Sequence, residues 1–161
     1  MRAAIITIST SVAAGTSEDR SGALLAQLAE QAGAEIVAKE VVSDDRDQIE
    51  HALRTHVAAD VPLIFTTGGT GLTPDDVTPE ATKAVVDREA PGFAEAMRAE
   101  SLKHTPLGIL TRGVSGIANQ TLIINFPGNP KAITQLFGVV APTLRHAVAT
   151  LQRETGARHG H

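Results

Sequence analysis

What the chain lacks most completely is cysteine: none occurs in its 161 residues. That absence excludes disulfides, thiolate zinc sites, iron–sulfur clusters and cysteine nucleophiles. Aromatic side chains are also scarce, with four phenylalanines and neither tyrosine nor tryptophan, so the stacking surfaces that bind single-stranded nucleic acid are not expected. Acidic residues outnumber basic ones and the formal net charge is −4, which attracts a phosphate backbone poorly. We therefore expect no nucleic-acid partner.

Long hydrophobic runs are missing as well. No apolar stretch approaches the ~18 residues of a membrane-spanning helix. Residues 1–8 are too short for a signal peptide and have the composition of a strand. We expect a soluble, cytoplasmic protein with no membrane partner. The length fits one domain, which we place at residues 1–154, followed by a polar, frayed tail at 155–161.

Short β-branched runs alternate with amphipathic segments along the chain. Strands are predicted at about 3–8, 34–42, 61–66, 107–111 and 121–126, and helices at about 21–32, 45–58, 78–87, 91–103 and 131–153. Thr78, followed by Pro79, is the predicted N-cap of its helix. The alternation predicts the α/β class, as a single three-layer α/β/α domain with a mostly parallel sheet. Ligands of such sheets bind outside the carboxyl ends of the strands, where the strand order reverses.

A glycine-rich loop, Gly68-Gly69-Thr70-Gly71, directly follows the third predicted strand. Glycines permit positive φ angles and close backbone approach, so successive amides can form a nest for an anion. The loop is not a Walker A motif, because no Gly-Lys-Ser/Thr follows, and it lacks the dinucleotide fingerprint. Taken alone, it is explained equally well as a tight turn.

Two acidic pairs stand in loops that follow strands: Asp75-Asp76 beyond the glycine loop, and Asp44-Asp45 after the second strand. Carboxylates beside a glycine nest suggest Mg²⁺ with phosphates, because this ion prefers oxygen ligands and shares them with substrate. The alternative is that an aspartate of each pair caps the following helix. If the second and third strands are close in space, Asp44 and Asp76 face one crevice that could hold a metal–triphosphate.

Two further loops offer polar groups. The turn Pro127-Gly128-Asn129-Pro130 places amides at a helix N-terminus, where anions bind, although capping alone also explains Asn129. Ser9-Thr10-Ser11 could supply hydroxyl donors or simply form a turn. The residues by themselves thus indicate an α/β domain with a phosphate and Mg²⁺ crevice, which is a class of site and not yet an activity.

The segment 66–82, TTGGTGLTPDDVTPEAT, resembles the signature of the molybdopterin adenylyltransferase family. This family includes the bacterial molybdenum-cofactor proteins of the Mog and MoaB type and the G domain of gephyrin-like proteins. Further matches stand in register at 14–15, 18–22, 91–98, 110–113, 116–117 and 121–130. The resemblance covers about residues 3–151 and implies the molybdopterin-binding-like fold.

The resemblance implies a reaction in which the terminal phosphate of molybdopterin attacks the α-phosphate of ATP and releases pyrophosphate. It implies Mg²⁺ as cofactor, with Asp76 and Asp44 as the catalytic and Mg²⁺-binding residues. It also implies a homotrimer that acts on small molecules, with other molybdenum-cofactor enzymes as partners. The residues expected to bind substrate or nucleotide are Ser9, Asp19, Ser21, Gly22, Thr67, Gly68, Gly69, Thr70, Gly71, Thr73, Thr78, Thr111, Ser115, Pro127, Gly128 and Asn129.

Two positions depart from the family pattern. Asp75 stands where a basic or neutral residue is common, and Thr111 replaces the commoner serine. The main alternative is a non-catalytic or weakly active paralogue that binds pterin or nucleotide as a trimeric scaffold. A more distant alternative is an enzyme that cleaves pyrophosphate from a nucleotide without any pterin.

Overall fold

A computed structural model of the chain describes residues 1–157, with side chains through residue 152. The tail predicted at 155–161 therefore lies largely outside the described residues. The strands are β1 (Arg2–Ile8), β2 (Glu35–Val42), β3 (Leu63–Thr67), β4 (Arg88–Glu89), β5 (Ser115–Ala118) and β6 (Thr121–Phe126). The helices are α1 (Thr10–Ala13), α2 (Arg20–Gln31), α3 (Arg46–Ala58), α4 (Thr78–Val85), α5 (Gly92–His104) and α6 (Pro130–Ala157), and a 3₁₀-helix spans Pro106–Leu110.

The strands form one six-stranded sheet in the order β2-β1-β3-β6-β5-β4. The first four in this order run parallel to one another, whereas at the other edge β5 pairs antiparallel with β6 and β4 pairs antiparallel with β5. Strands β3 and β6 are buried along their whole length, as expected for strands covered on both faces. The predicted α/β class with a mostly parallel sheet is confirmed.

Alternate residues of the central strands pack against different helices. On one face, Ile5 and Phe65 join α2, α5 and α6 in a single apolar cluster. On the other face, Ile6 and Ile64 pack with Ile49 and other residues of α3 and α4. These are the three predicted layers, with the sheet in the middle. Because both faces are filled mainly by apolar side chains, the polar side chains of the central strands lie near the strand ends.

The strand predicted at 107–111 is wrong, because the chain forms the 3₁₀-helix there. Pro106 opens this helix, and the Thr105 hydroxyl caps it by accepting a hydrogen bond from the amide of Leu107. The apolar side chains that suggested a buried strand are exposed, as Leu107 is 66% and Ile109 is 68% accessible. The strand beside β6 is instead β5, which begins after the 3₁₀-helix has ended.

The N-cap predicted at Thr78 is also wrong. The residue before α4 is Val77, which makes no side-chain capping bond, so Thr78 stands inside the first turn. Its hydroxyl donates to the carbonyl of Gly68 at 2.9 Å, a partner ten residues earlier that local sequence could not indicate. Among the described residues, no helix is long and apolar enough to cross a membrane.

Candidate active site at the carboxyl ends of the parallel strands

The topology creates a crevice between β1 and β3. The chain passes from β1 to β2 on one side and returns to β3 on the other side of β1, so the strand order reverses between these two carboxyl ends. A pocket of about 390 Å³ opens there. Its walls include six residues that the sequence analysis expects to bind substrate, namely Ser9, Asp19, Ser21, Thr67, Gly68 and Gly128.

The glycine loop starts at the edge of this pocket, at the end of β3. Gly68 and Gly69 have φ angles of 102° and 70°, a region that strongly favours glycine. A side chain on Gly68 would collide with the carbonyl of Ile8, and one on Gly69 with the hydroxyl of Thr78. Only glycine therefore lets the loop pass between the end of β1 and the start of α4.

Both acidic residues proposed to hold Mg²⁺ lie beside the glycine loop. The Oδ2 atom of Asp44 accepts hydrogen bonds from the amide and hydroxyl of Thr10, at 3.1 and 2.9 Å. Its Oδ1 atom lies 3.3 Å from the position that a Cβ atom on Gly69 would occupy. The Oδ2 atom of Asp76 accepts from the amide and hydroxyl of Thr73, at 3.0 and 2.9 Å. A Cβ atom on Gly71 would lie 2.8 Å from that oxygen.

In the first acidic pair, helix capping accounts for Asp45 and not for Asp44. Asp45 is the N-cap of α3, and its carboxylate accepts from the amide of Gln48 at 3.0 Å. In the second pair, neither Asp75 nor Asp76 caps α4, which has no side-chain capping bond. Asp44 and Asp76 are thus the two aspartates that face the glycine loop without capping a helix.

The donor set fits a magnesium ion that shares its ligands with a substrate. The hydrogen bonds to Asp44 and Asp76 reach only one oxygen of each carboxylate, so the second oxygens can serve as ligands. Mg²⁺ is commonly held by one or two carboxylates, with water and phosphate completing its octahedron. Among residues 1–157, no group of three or more histidine or acidic side chains could hold a metal ion by itself.

Several of the predicted binding residues hold the pocket wall in shape. Asp19 caps α2 by accepting from the amide of Gly22 at 2.9 Å, and it also accepts from the hydroxyl of Thr7. A side chain on Gly22 would collide with these same two residues. The hydroxyl of Ser21 donates to the carbonyl of Gly128, which joins α2 to the turn after β6.

The turn after β6 is fastened to the end of β3. The hydroxyl of Thr67 donates to the carbonyl of Pro127 at 2.8 Å, and Gly68 donates its amide to the carbonyl of Phe126 at 3.1 Å. Asn129 caps α6, because its side-chain oxygen accepts from the amide of Lys131 at 2.9 Å. The loops after β1, β3 and β6 thus form one connected rim.

Two predicted residues lie apart from this rim. Ser115 is buried, and its hydroxyl donates to the carbonyl of Ala90 at 2.6 Å while accepting from the amide of Ala94 at 3.1 Å. Thr111 lines a separate small recess with Pro127 and Arg98. The structure therefore gives Ser115 a role in anchoring α5 and places Thr111 behind the turn after β6.

Arg112 is the site residue that the sequence analysis left without a role. Its guanidinium donates to the carbonyls of Gly71 and Asp76, at 2.8 and 2.6 Å, and pairs with Glu80 at 2.8 Å. The hydrogen bond from Arg112 holds the pKa of Glu80 below its ordinary value of 4.5, and Glu80 in turn raises the pKa of Arg112. The sequence signal that could have indicated Arg112 is its position in the segment 110–113, which resembles the family pattern.

Comparisons with known proteins agree with this geometry. A family model described as a probable molybdopterin binding domain matches residues 4–146. The chain is 46% identical over 110 residues to the molybdopterin adenylyltransferase of Helicobacter pylori strain J99, which covers 68% of this chain and 62% of that protein. It is 39% identical over 146 residues to the molybdenum cofactor synthesis protein cinnamon of Drosophila melanogaster, which covers 89% of this chain and 24% of that protein.

The chain thus spans less than two thirds of the length of both sequence relatives. One solved structure matches this chain over nearly the whole length of both proteins. The molybdopterin biosynthesis enzyme MoaB from Thermus thermophilus superimposes with a TM-score of 0.88 at 39% identity, covering 93% of this chain and 95% of that one. The family model, the sequence relatives and the superimposed structure indicate the same family, and the chain belongs to the molybdopterin-binding domain family of molybdenum cofactor biosynthesis.

Proposed function

We propose that this chain is a molybdopterin adenylyltransferase that transfers AMP from ATP to the terminal phosphate of molybdopterin. An oxygen of the molybdopterin phosphate forms a bond to the α-phosphorus of ATP, and the bond from that phosphorus to the bridging oxygen breaks. Adenylyl-molybdopterin and pyrophosphate are the products. The observation that carries the proposal is the placement of Asp44 and Asp76 beside one glycine loop, which starts at the edge of the pocket between β1 and β3.

The residues of this site are suited to positioning and charge neutralisation. The substrate phosphate is itself the nucleophile, so the protein has to align two phosphates and offset their repulsion. Thr10 and Thr73 orient the two aspartates through their amides and hydroxyls. Asp44 and Asp76 would hold Mg²⁺, and this ion, when bound, neutralises negative charge on the phosphates. The glycine loop leaves room for phosphate oxygens close to the backbone.

The test is a mass-spectrometric assay with molybdopterin, ATP and Mg²⁺ that compares the protein with Asp76→Ala. Asp75→Ala is the matched control, because it removes the same charge from the neighbouring position. We expect adenylyl-molybdopterin and pyrophosphate from the protein and from the control, but not from Asp76→Ala. Pterin fluorescence reports binding in the same samples, since the chain has no tryptophan or tyrosine. Binding without product from the unaltered protein would contradict the proposal.

A second candidate is a binding paralogue that holds pterin or nucleotide as a scaffold without efficient transfer. It is favoured by the hydrogen bonds that Asp44 and Asp76 already accept from threonines. Both carboxylates would then hold their loops in shape and bind no metal ion. This candidate predicts tight pterin binding that does not change when Mg²⁺ is removed, whereas the enzyme requires the ion for turnover.

The proposal includes a homotrimer in the cytoplasm that can pass its product to other molybdenum-cofactor enzymes. Support for self-association comes from apolar side chains at the end of α5 and in the 3₁₀-helix, where Leu102, Leu107 and Ile109 are 47%, 66% and 68% exposed. Such patches commonly mark interfaces. Sedimentation equilibrium should give three times the mass of one chain, and a clean monomer would contradict the trimer. Cell fractionation tests the compartment.

A further inference from the structure

Arg112 is connected to one loop at three points. Its backbone amide donates to the carbonyl of Thr70 at 2.8 Å. Its side chain donates to the carbonyl of Gly71 through Nε at 2.8 Å and to that of Asp76 through Nη2 at 2.6 Å. A guanidinium has five donors in a rigid, planar arrangement, so a single side chain can fix acceptors five residues apart in one geometry.

Glu80 completes the arrangement from the first turn of α4. Its two carboxylate oxygens accept from Nη1 and Nη2 of Arg112, at 2.8 and 3.3 Å, as a bidentate pair that adds directional specificity to charge attraction. The low pKa of Glu80 keeps this carboxylate ionised near neutral pH. The charge of Arg112 is therefore compensated inside the protein, and its donors are directed at the loop.

The middle of the 70–76 loop is open to solvent. Leu72 is 64% exposed, and residues 73–75 are also exposed. Inside the loop, Asp76 and Thr73 bond to each other through the backbone and through the Asp76 carboxylate. Within the part of the chain that the structure describes, every hydrogen bond that reaches residues 70–76 from outside comes from Arg112.

We propose that Arg112 is a positioning residue which, with Glu80, fixes the 70–76 loop and so holds the Asp76 carboxylate beside Gly71. The part of this inference that concerns catalysis rests on the proposed function. None of residues 70–76 lines the pocket between β1 and β3. Loss of the Arg112 contacts should therefore disturb the ion and phosphate side of the site more than the binding of substrate in that pocket.

The variant for the test is Arg112→Lys, which keeps the positive charge but cannot reach three acceptors at once. We expect AMP transfer to fall by about 10- to 100-fold, the range typical of residues that orient a metal ligand. The Mg²⁺ concentration for half-maximal rate should rise, while the affinity for molybdopterin, measured by fluorescence, should change by less than about threefold. Glu80→Gln should shift the Mg²⁺ dependence in the same direction.

A second readout does not depend on activity. Amide hydrogen exchange of Thr73 and Asp76, measured without substrates, should be faster in Arg112→Lys and Glu80→Gln. The matched control is Arg88→Lys, because Arg88 also bonds a carboxylate, that of Asp87, and a backbone carbonyl, that of Asn119. Arg88 stands in β4 and reaches the β5–β6 turn, at the opposite end of β6 from the site, so exchange in the loop should not change.

The outcomes separate this inference from the proposed function. Unchanged loop exchange and unchanged Mg²⁺ dependence in Arg112→Lys would overturn it. Faster exchange that extends equally through β1 and β6 would also overturn it, because Arg112 would then support global stability alone. If the unaltered protein transfers no AMP while exchange increases only in the loop, the proposed function fails and the positioning role is supported.

Discussion

The two Asp-Asp pairs are identical dipeptides that the fold uses differently. In the first, Asp45 caps α3 and Asp44 accepts from Thr10, which lies 34 residues earlier in the chain. In the second, no aspartate caps the next helix, and Asp76 is held by Thr73, only three residues earlier. A dipeptide and its distance to the next helix therefore do not determine which carboxylate is capped and which faces the glycine loop.

The source of rigidity also differs between the two loops. The first is closed by a local helix cap and by the pairing of β1 with β2. The second extends into solvent and depends on Arg112, more than thirty residues later in the chain. The Asp45 cap is a support local to the first loop, whereas the contacts of Arg112 with the second loop require the completed fold.

The largest expected effect comes from the second loop. Asp76→Ala should lower AMP transfer by at least about 100-fold, because a group that offsets charge on the reacting phosphates is lost. Urea unfolding should show a nearly unchanged free energy of unfolding, since the half-buried Asp76 carboxylate bonds only to Thr73 of its own loop. Steady-state rates with saturating ATP and Mg²⁺ measure the effect, and near-normal turnover would show that Asp76 holds no essential ion.

Asp44→Ala should have a smaller effect on the same reaction, about 10-fold. Thr10→Val tests the orientation of Asp44 separately, because it removes the hydroxyl that orients Asp44 and leaves the carboxylate in place. We expect Thr10→Val to lie between the unaltered protein and Asp44→Ala in transfer rate. A larger loss in Asp44→Ala than in Asp76→Ala would reverse the assigned importance of the two carboxylates.

Asp45→Ala should affect stability and leave the chemistry nearly intact. Loss of an N-cap commonly costs about 1 kcal/mol in the free energy of unfolding, and α3 would lose the bond from the Gln48 amide. Urea denaturation measures the change, with Asp47→Ala as a control in the same helical turn. A strong loss of AMP transfer at full stability would mean that Asp45 belongs to the site.

The smallest effect is a pH-dependent one from Glu80. Because its pKa is lower in the folded protein than its ordinary value of 4.5, the ion pair adds stability above that value and loses it as pH falls through the lowered pKa. Glu80→Gln should thus reduce the free energy of unfolding near neutral pH and match the unaltered protein in strong acid. Glu80 is 39% exposed, so solvent screening limits the difference to about 1 kcal/mol or less. Urea unfolding across this pH range measures it; a constant difference would contradict the ion-pair origin.

Sequence patterns predicted the fold class correctly, and the position of the site stays a prediction. The alternation of strands and helices implied a parallel sheet, and the loops that follow β1, β2, β3 and β6 are where the structure gathers polar groups. The prediction failed at 107–111, where an apolar run after a proline forms an exposed 3₁₀-helix. Apolar composition indicates burial only when a partner surface is available, which the local pattern does not reveal.

By itself, the sequence determined the α/β class, the glycine loop and the acidic residues that stand near it. Those features follow from local physics, namely the period of apolar residues and the conformational freedom of glycine. Only the tertiary structure decided that Thr78 bonds Gly68, that Ser115 anchors α5 and that Arg112 joins the 70–76 loop to Glu80. Each of these depends on which chain segments meet after folding, because a hydrogen bond requires its donor and acceptor within about 3 Å of each other.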